Sequence, residues 1–364
     1  MLIVSSFVLP RRGGIEQFVD IAAGLLRERG SSVRVLACRP RERSAAADVT
    51  IPSRFLPRTG WPLPVGGWRT LWREVGDADV VIANGARHLL PSLATIAARL
   101  RGTRVLFVLH GSGAPFSTSS FFYHRVLGRV FERLVTRPTL RLSQPVSLSR
   151  AGVAGARRRY GVTAEYVPFP LRDLPPARPR FLSADEPIRI VWVGRLFREK
   201  NPLDAVTVVE QVRRQGEATL EIYGDGVLSA ELRRLARERP WLAVRESQTW
   251  EEIQQVQDAA HVCLSTSLRD ATQMAVLEPL ARGIPVVSTR VGDAPDYYAA
   301  QQLQAFCVAP NEPSAAAAAI LELASSYERY VKRFAANADR LGKIHRAGRE
   351  RLGLLVDGAS NGQS

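Results

Sequence analysis

The chain has 364 residues, about the length of two domains of ordinary size. Hydrophobic residues make up 46% and charged residues 23%, which excludes a disordered or collagen-like chain, and no apolar run approaches the roughly 18 residues that a transmembrane helix needs. The formal net charge is +15, so ligands and surfaces rich in negative charge are the first partners to consider.

The positive charge is confined to the first half of the sequence. Residues 1–170 contain 25 arginines, no lysine and 10 acidic residues, whereas residues 171–364 contain 25 basic and 25 acidic residues. A basic half attracts nucleic acid, anionic lipid headgroups or an acidic substrate. No helix-turn-helix, zinc-finger or RNP pattern is visible, so we expect no nucleic acid partner.

The first residues and the cysteines indicate the compartment. Residues 1–10 are mostly apolar and Arg11 and Arg12 follow them, which is the reverse of a secretory signal. Cys38, Cys263 and Cys307 are odd in number and have no metal-like spacing, as is typical of reduced thiols. We expect a cytoplasmic protein without metal, for which the inner face of the plasma membrane is a candidate peripheral location.

The first half of the chain reads as strands alternating with helices. The glycines Gly13 and Gly14 follow the first strand, and apolar residues then recur at helical spacing until Gly30. The predicted strands are residues 2–6, 33–37, 80–83, 104–109 and 145–148.

A second series of strands and helices begins after a proline-rich stretch. Its predicted strands are residues 188–193, 219–223, 262–265 and 285–288, its helices are 202–214, 228–239 and 250–260, and a helical tail covers 327–356. This order predicts an α/β fold of two doubly wound, Rossmann-like domains that face a central cleft. We place the first domain at 1–170 with the C-terminal helix at about 342–358, the linker at 171–187 and the second domain at 188–341.

Two cations follow the first strand of the second series. Arg195 comes directly after Val193-Gly194, and Lys200 stands five positions later, before the next helix. Guanidinium, ammonium and a helix N-terminus together suit a diphosphate. A solvated basic loop is the alternative.

Two carboxylates stand eight residues apart further on. Asp270 follows a predicted strand, and Glu278 lies in a helix that begins near Gln273. Carboxylates accept hydrogen bonds from paired sugar hydroxyls. The alternative is that Asp270 caps the helix and Glu278 is a surface charge.

These motifs together resemble glycosyltransferase family 4. The resemblance rests on Gly13-Gly14-Ile15-Glu16, Val193-Gly194-Arg195-Leu196 with Lys200, Tyr223-Gly224-Asp225-Gly226, and Asp270 and Glu278 before Gly283-Ile284-Pro285. It covers nearly the whole chain and implies the GT-B fold with a C-terminal helix that crosses back to the first domain. It also implies a retaining, metal-independent hexosyltransferase (EC 2.4) without a cofactor, whose substrate is a nucleotide sugar such as a UDP- or GDP-sugar.

The resemblance implies roles for individual residues. Arg195 and Lys200 would hold the diphosphate and assist its departure, Glu278 would bind the ribose, and Asp270 would contact the transferred sugar. His110, at the end of a first-half strand, would lie near the reacting sugar. The other implied donor contacts are the glycines Gly13 and Gly14 and the backbone amides of Thr272, Gln273, Met274 and Ala275. The chain departs from the family where Asp270 replaces the usual Glu and where Ala271-Thr272-Gln273 lacks the usual glycines.

A basic helix in the first half suggests where an acceptor or membrane would dock. Apolar residues alternate there with arginines at helical spacing, which suits a helix lying on an anionic bilayer, although core packing explains the apolar positions equally well. The apolar residues are Tyr123, Val126, Leu127, Val130, Phe131 and Leu134, and the arginines are Arg125, Arg129 and Arg133. The expected acceptor is a sugar, a lipid-linked molecule or a small molecule, with anionic ones favoured by the charge.

Two other functions remain open at this point. One is a GT-B sugar-nucleotide epimerase, which needs no acceptor. The other is a catalytically idle protein that binds polyanions or membranes. The family's broad roles are polysaccharide, glycolipid or natural-product glycosylation, including work at the cell envelope.

Overall fold

The computed structural model describes residues 1–9, 13–39, 46–56, 62–111, 122–175, 177, 180–183 and 185–358, without the side chains of 122–125. The chain divides into two compact units. The first comprises Met1–Arg172 and His345–Ser364, and the second comprises Asp173–Ile344. Each unit is built on one parallel sheet.

The sheet of the first unit has seven strands in the order β3-β2-β1-β6-β7-β8-β9. The strands are β1 (Leu2–Ser5), β2 (Arg34–Cys38), β3 (Val49–Ile51), β6 (Val80–Asn84), β7 (Arg104–Leu109), β8 (Gln144–Ser147) and β9 (Glu165–Tyr166), and β4 (Ser53–Phe55) pairs with β5 (Pro62–Pro64) in a separate antiparallel ribbon. The helices are α1 (Gly14–Glu28), α2 (Trp68–Gly76), α3 (Leu89–Arg101), α4 (Phe122–Phe131), α5 (Arg137–Arg141) and α6 (Arg150–Tyr160), with a π-helical turn at Glu132–Thr136.

The central strands form because their residues are apolar on both faces. Every residue of β1 and β6 is buried, as expected for a parallel sheet covered by helices on both sides. The helix α1 ends where predicted, since Gly30 has φ of +83° and the Ser31 N–H donates to the Leu26 carbonyl at 3.0 Å. Strand β1 has neighbours β2 and β6, so the strand order reverses beside it and opens a crevice at the carboxyl ends.

The second unit repeats this architecture with six parallel strands in the order β12-β11-β10-β13-β14-β15. The strands are β10 (Ile188–Val193), β11 (Ala218–Tyr223), β12 (Leu242–Arg245), β13 (Val262–Ser265), β14 (Val286–Thr289) and β15 (Cys307–Val308). The helices are α7 (Pro202–Val212), α8 (Ser229–Arg237), α9 (Trp250–Asp258), α10 (Met274–Ala281), α11 (Ala294–Tyr297), α12 (Pro313–Ser325) and α13 (Tyr327–Val356), with a 3₁₀ turn at Gln304–Phe306. Its crevice lies between β10 and β13, where Ile190 pairs with Val262.

The last helix belongs to both units. Residues of α13 up to Ile344 are part of the second unit, and those from His345 onward are part of the first. There Leu352, Leu355 and Val356 are buried, and His345 Nδ1 lies 2.5 Å from the Phe169 carbonyl oxygen. In the part of the chain described, no helix combines the length and apolar character needed to cross a membrane.

The structure confirms the predicted α/β class and differs in detail. The strand β12 was not predicted, because it has four residues, lies at the sheet edge and is followed by polar residues. The helix expected over 123–134 is interrupted by the π-helical turn from Glu132. Within it, Phe131 is half-buried rather than exposed.

Candidate functional site

The loops after β10 and β13 bring together residues from two of the motifs. The Lys200 ammonium donates a hydrogen bond to the Asp270 Oδ2 oxygen, and the two side chains are 23% and 19% exposed. The Leu268 N–H donates to the Glu199 carbonyl at 2.8 Å, which joins the two loops by their backbones. A cation and a carboxylate predicted separately are therefore one ion pair at the crevice of the second sheet.

The Tyr223-Gly224-Asp225-Gly226 segment supports the loop that bears Arg195. The Leu196 N–H donates to the Asp225 carbonyl at 2.9 Å, and the Leu228 N–H donates to the Leu196 carbonyl at 3.0 Å. A Cβ atom on Gly224, whose φ is +154°, would lie 1.9 Å from the Gly194 carbonyl oxygen. Only glycine allows this close contact between the two loops.

Arg195 is exposed at the end of this loop. Its guanidinium carbon lies 5.5 Å from the centroid of the Phe197 ring. No carboxylate pairs with it among the residues that the structure describes. Its charge is therefore directed to solvent and available to an anionic ligand.

The side chain of Gln273 organises the loop that follows Asp270. The Ser265 hydroxyl donates to Gln273 Oε1 at 2.8 Å, and Gln273 Nε2 donates to the carbonyls of Thr289 at 3.3 Å and Val291 at 3.2 Å. Gln273 is also the N-cap of α10, and in the described structure the N–H groups of Met274 and Ala275 make no hydrogen bond. Such groups at a helix start suit an anion.

A glycine outside the loop compensates for the glycines that the loop lacks. The Asp293 N–H donates to the Ala271 carbonyl at 2.9 Å, and a Cβ atom on Gly292 would lie 2.0 Å from that same oxygen. The close backbone approach at residues 271–273 is therefore provided by the neighbouring segment.

Glu278 is the fifth residue of α10 and is only 8% exposed. The indole Nε1–H of Trp250 donates to its Oε1 oxygen at 3.3 Å. Glu278 is therefore not a solvated surface charge. Sequence reasoning did not select Trp250, because it belongs to none of the motifs.

In the first unit, His110 directly follows β7 and lies 2.6 Å from Asn84 through its Nε2 atom. Asn84 Nδ2 donates to the Ile15 carbonyl at 3.2 Å and to the Ser5 hydroxyl at 3.3 Å, which fixes the orientation of the amide. The Oδ1 oxygen must then accept from the Nε2–H of His110, so the Nδ1 atom of the ring is an acceptor. Asn84 was not predicted, although a polar residue ending the buried strand β6 was its signal.

Desolvation lowers the pKa of His110 to about 3. The ring is neutral at pH 7, and the Phe18 ring packs edge-on against it at 5.4 Å between centroids. His110 can therefore form hydrogen bonds with a ligand but does not carry a positive charge.

The two predicted glycines begin α1. Gly13 has extended backbone, and a Cβ atom on it would lie 2.7 Å from Glu16 Oε2. A Cβ atom on Gly14 would meet nothing within 4 Å. The start of α1 lies at the crevice of the first sheet, because Asn84 at the end of β6 contacts Ile15.

The sequences of both units match known families. Residues 12–170 match the family described as Glycosyltransferase Family 4, and residues 187–326 match the family described as Glycosyl transferases group 1. The chain belongs to the family 4 glycosyltransferases. It is an enzyme of the glycosyltransferase class (EC 2.4).

Individual relatives of this glycosyltransferase agree with the assignment. One of them is the phosphatidylinositol N-acetylglucosaminyltransferase of Arabidopsis thaliana, through one of its component chains. The two sequences are 26% identical over 320 residues, which cover 81% of this chain and 68% of the relative.

Solved structures establish the GT-B fold of this glycosyltransferase. Sucrose-phosphate synthase from Thermosynechococcus elongatus matches with a TM-score of 0.74 at 18% identity and 98% coverage of each chain. The Anabaena protein HepE, in complex with UDP-glucose, matches with a TM-score of 0.74 at 13% identity, covering 98% of this chain and 99% of the other.

Proposed function

We propose that this glycosyltransferase moves a hexosyl unit from a nucleoside-diphosphate sugar to an acceptor hydroxyl with retention of the anomeric configuration. The observation that carries the proposal is the Lys200–Asp270 ion pair at the crevice of the second unit. It places a phosphate-binding cation beside a carboxylate that can accept from sugar hydroxyls.

The chemistry follows from the charges of these groups. Negative charge grows on the diphosphate as the bond to the sugar breaks, and Arg195 and Lys200 would offset it without a metal ion. A bound diphosphate would compete with Asp270 for the Lys200 ammonium. The carboxylate would then turn to the hydroxyls of the sugar.

A UDP-sugar is the favoured donor and a lipid-linked or anionic molecule the favoured acceptor. HepE was solved with UDP-glucose, and the Arabidopsis relative is named for phosphatidylinositol. The first unit, with its excess of arginine and the neutral His110, would receive the acceptor. We place the enzyme in polysaccharide, glycolipid or natural-product glycosylation at the cell envelope.

The donor site is tested by calorimetric titration with UDP, GDP, ADP and dTDP in parallel. One nucleotide should bind, and Glu278→Ala should weaken it at least about tenfold because a hydrogen bond to a charged group is lost. Glu251→Ala, which removes an exposed carboxylate of α9, is the control and should leave the affinity unchanged. Binding of no nucleotide, or an unaffected Glu278→Ala variant, would rule out the donor site.

Retention is tested on the product. With the donor sugar identified, NMR of the first product formed should show the same anomeric configuration as the donor. Inversion would contradict this part of the proposal, and a changed sugar without acceptor would identify an epimerase.

We also propose that the segment formed by α4 and the π-helical turn docks on an anionic membrane. Its apolar side chains are not in the core: Val126, Leu127, Val130 and Leu134 are 42%, 63%, 47% and 67% exposed. Arg129, Arg133 and Arg137 are exposed along the same segment. Apolar residues flanked by arginines fit a bilayer with acidic headgroups. The side chains of Tyr123 and Arg125 lie outside the described residues.

Vesicle flotation tests the membrane surface. The protein should float with vesicles that contain phosphatidylglycerol and not with pure phosphatidylcholine, and Leu127→Ser with Leu134→Ser should lower the bound fraction several-fold. Leu100→Ser is the control, because Leu100 is 71% exposed on α3, outside the segment. Equal binding to both vesicles, or equal loss in the control, would remove the membrane from the proposal.

A further inference from the structure

The helix α9 begins at a defined place in the second unit. The Glu252 N–H donates to Thr249 Oγ1 at 3.2 Å, and Glu252 Oε2 accepts from the Thr249 N–H at 2.7 Å, which forms a complete capping box. The preceding segment is tied to the Asp225 loop, because the Ser247 N–H donates to Asp225 Oδ2 at 3.1 Å. Trp250, the first residue of α9, is therefore held at the same crevice as Arg195.

A polar contact along α9 and α10 fixes the distance between these two helices. Arg282 Nη2 lies 2.6 Å from Asp258 Oδ1, and Arg282 Nη1 donates to the Gln254 carbonyl at 3.3 Å. Trp250, Gln254 and Asp258 follow one another at four-residue spacing, as do Glu278 and Arg282. The Trp250–Glu278 hydrogen bond is thus the end of a continuous seam between the helices.

The chemistry of the indole makes this contact selective for the carboxylate. Indole has one donor and no acceptor, so it holds Glu278 through an oxygen lone pair. A carboxylate can accept about four hydrogen bonds, so it retains capacity for hydroxyl groups after accepting one from Trp250. Because Glu278 is nearly buried, its orientation decides which hydroxyls it can reach.

We infer that Trp250 is a positioning residue, which orients Glu278 toward the two ribose hydroxyls of the donor nucleotide. The inference rests on the proposed function, since it names the part of the donor that this pair recognises. Trp250 acts through Glu278, so its loss affects recognition of the ribose diol and not of the diphosphate. The discrimination between ribonucleotides and deoxyribonucleotides therefore depends on Trp250.

The test compares UDP with 2′-deoxy-UDP, or the same pair for whichever nucleotide the wild type prefers, by calorimetric titration. The wild type should bind the ribonucleotide at least about tenfold more tightly. Trp250→Phe keeps the ring and removes the N–H, and it should reduce this ratio at least about threefold while the affinity for the deoxynucleotide stays the same. Trp241→Phe, a tryptophan of the same unit without this contact, should keep the wild-type ratio.

Two further variants keep the inference testable if ring size matters for folding. Trp250→His restores a ring N–H and should recover part of the ratio. In the Glu278→Gln background, Trp250→Phe should have little additional effect on the ratio, because the two residues act as one unit. A Trp250→Phe variant that keeps the wild-type ratio, or weakens both nucleotides equally, would overturn the inference.

The failure of this inference differs from the failure of the proposed function. If the wild type binds a nucleotide and Trp250→Phe keeps its ribose discrimination, only the role of Trp250 is wrong. If the wild type binds a nucleotide without discriminating the deoxy form, Glu278 does not recognise ribose and Trp250 has no such role. If no nucleotide binds, both proposals are wrong.

Discussion

The environment of His110 suits a neutral hydrogen-bonding group. Asn84 takes its Nε2–H, and desolvation lowers its pKa to about 3, far below the ordinary value of 6.5. An imidazole with this pKa is a poor proton donor at pH 7. It contributes a fixed acceptor at Nδ1.

We predict that His110 introduces no inflection into the pH–rate profile between pH 5 and 8. His110→Gln should lower kcat/KM because the Nδ1 acceptor is lost, while the shape of the profile stays the same. Steady-state rates across this range test it. A wild-type inflection near pH 6.5 that disappears in the variant would show that the ring titrates in the working range.

The same shift predicts a loss of stability in acid. The pKa of His110 is lower in the folded state than in the unfolded state, so the unfolded chain binds a proton below about pH 6.5 and the folded chain does not until about pH 3. The unfolding free energy should therefore fall as the pH drops through this window. Burial also lowers the pKa of His261, so His110→Gln should reduce the pH dependence without abolishing it. Urea unfolding at pH 7 and pH 5 measures the difference.

The buried thiols should be unreactive in the native protein. Burial raises the pKa of Cys263 to about 12 and that of Cys307 to about 11, and it also raises the pKa of Cys38. Because the thiolate is the nucleophile, iodoacetamide at pH 8 should leave the folded chain unmodified and label all three cysteines in denaturant. Mass spectrometry distinguishes these states, and fast labelling of the folded chain would contradict the prediction.

Among the structural elements, the two loops at the ends of β10 and β11 depend on each other. The Gly194–Leu196 backbone lies directly against Gly224 and Gly226, and the hydrogen bonds between the loops leave no room for a side chain. The position of Arg195 is thus set by a loop about 30 residues later in the chain.

Gly224→Ala should destabilise the protein by more than about 1 kcal/mol, since both the positive φ and the contact with Gly194 oppose a Cβ atom. It should also weaken nucleotide binding, because the loop that carries Arg195 must move. Gly216→Ala is the matched control in the same unit, as a Cβ there meets nothing within 4 Å. Thermal unfolding and calorimetry measure the two effects, and equal stability of both variants would contradict the argument.

The surface of α4 shows how far periodicity can be read. Helical spacing placed apolar residues on one side of the segment, and both a membrane surface and core packing explained that pattern. The structure leaves Leu127 and Leu134 exposed, so core packing is not the reason for these positions. Exposure depends on which other elements pack nearby, and periodicity within one helix carries no information about them.

For the whole molecule, the last helix is a structural part of the first unit. Leu352, Leu355 and Val356 are buried there, and Arg351 pairs with Glu165. The first unit is therefore completed by residues about 180 positions distant in sequence.

Deleting His345–Ser364 should destabilise the first unit by about 5 kcal/mol, at roughly 1.5–3 kcal/mol for each buried apolar side chain that is lost. Hydrogen exchange should then be faster in the strands β1 and β6, with less change in β10 and β13. Deleting only residues 359–364 is the control. Unchanged protection of β1 in the longer deletion would show that the helix is dispensable.

The sequence by itself determined the fold class, the family and the main candidate residues. Hydrophobic periodicity and glycine positions are local properties, and parallel strands place the loops after them at one edge of the sheet. This is why Lys200 and Asp270, found in separate motifs, proved to be neighbours. The roles of the site residues stay predictions until nucleotide binding is measured.

Only the tertiary structure decided which side chains contact each other. Trp250 reaches Glu278 and Asn84 reaches His110 across different elements, and neither partner belongs to a motif. The packing of α9 on α10, and of β6 beside β7, sets these distances to within an ångström. Such contacts depend on the whole arrangement of buried side chains, which no local pattern in the chain encodes.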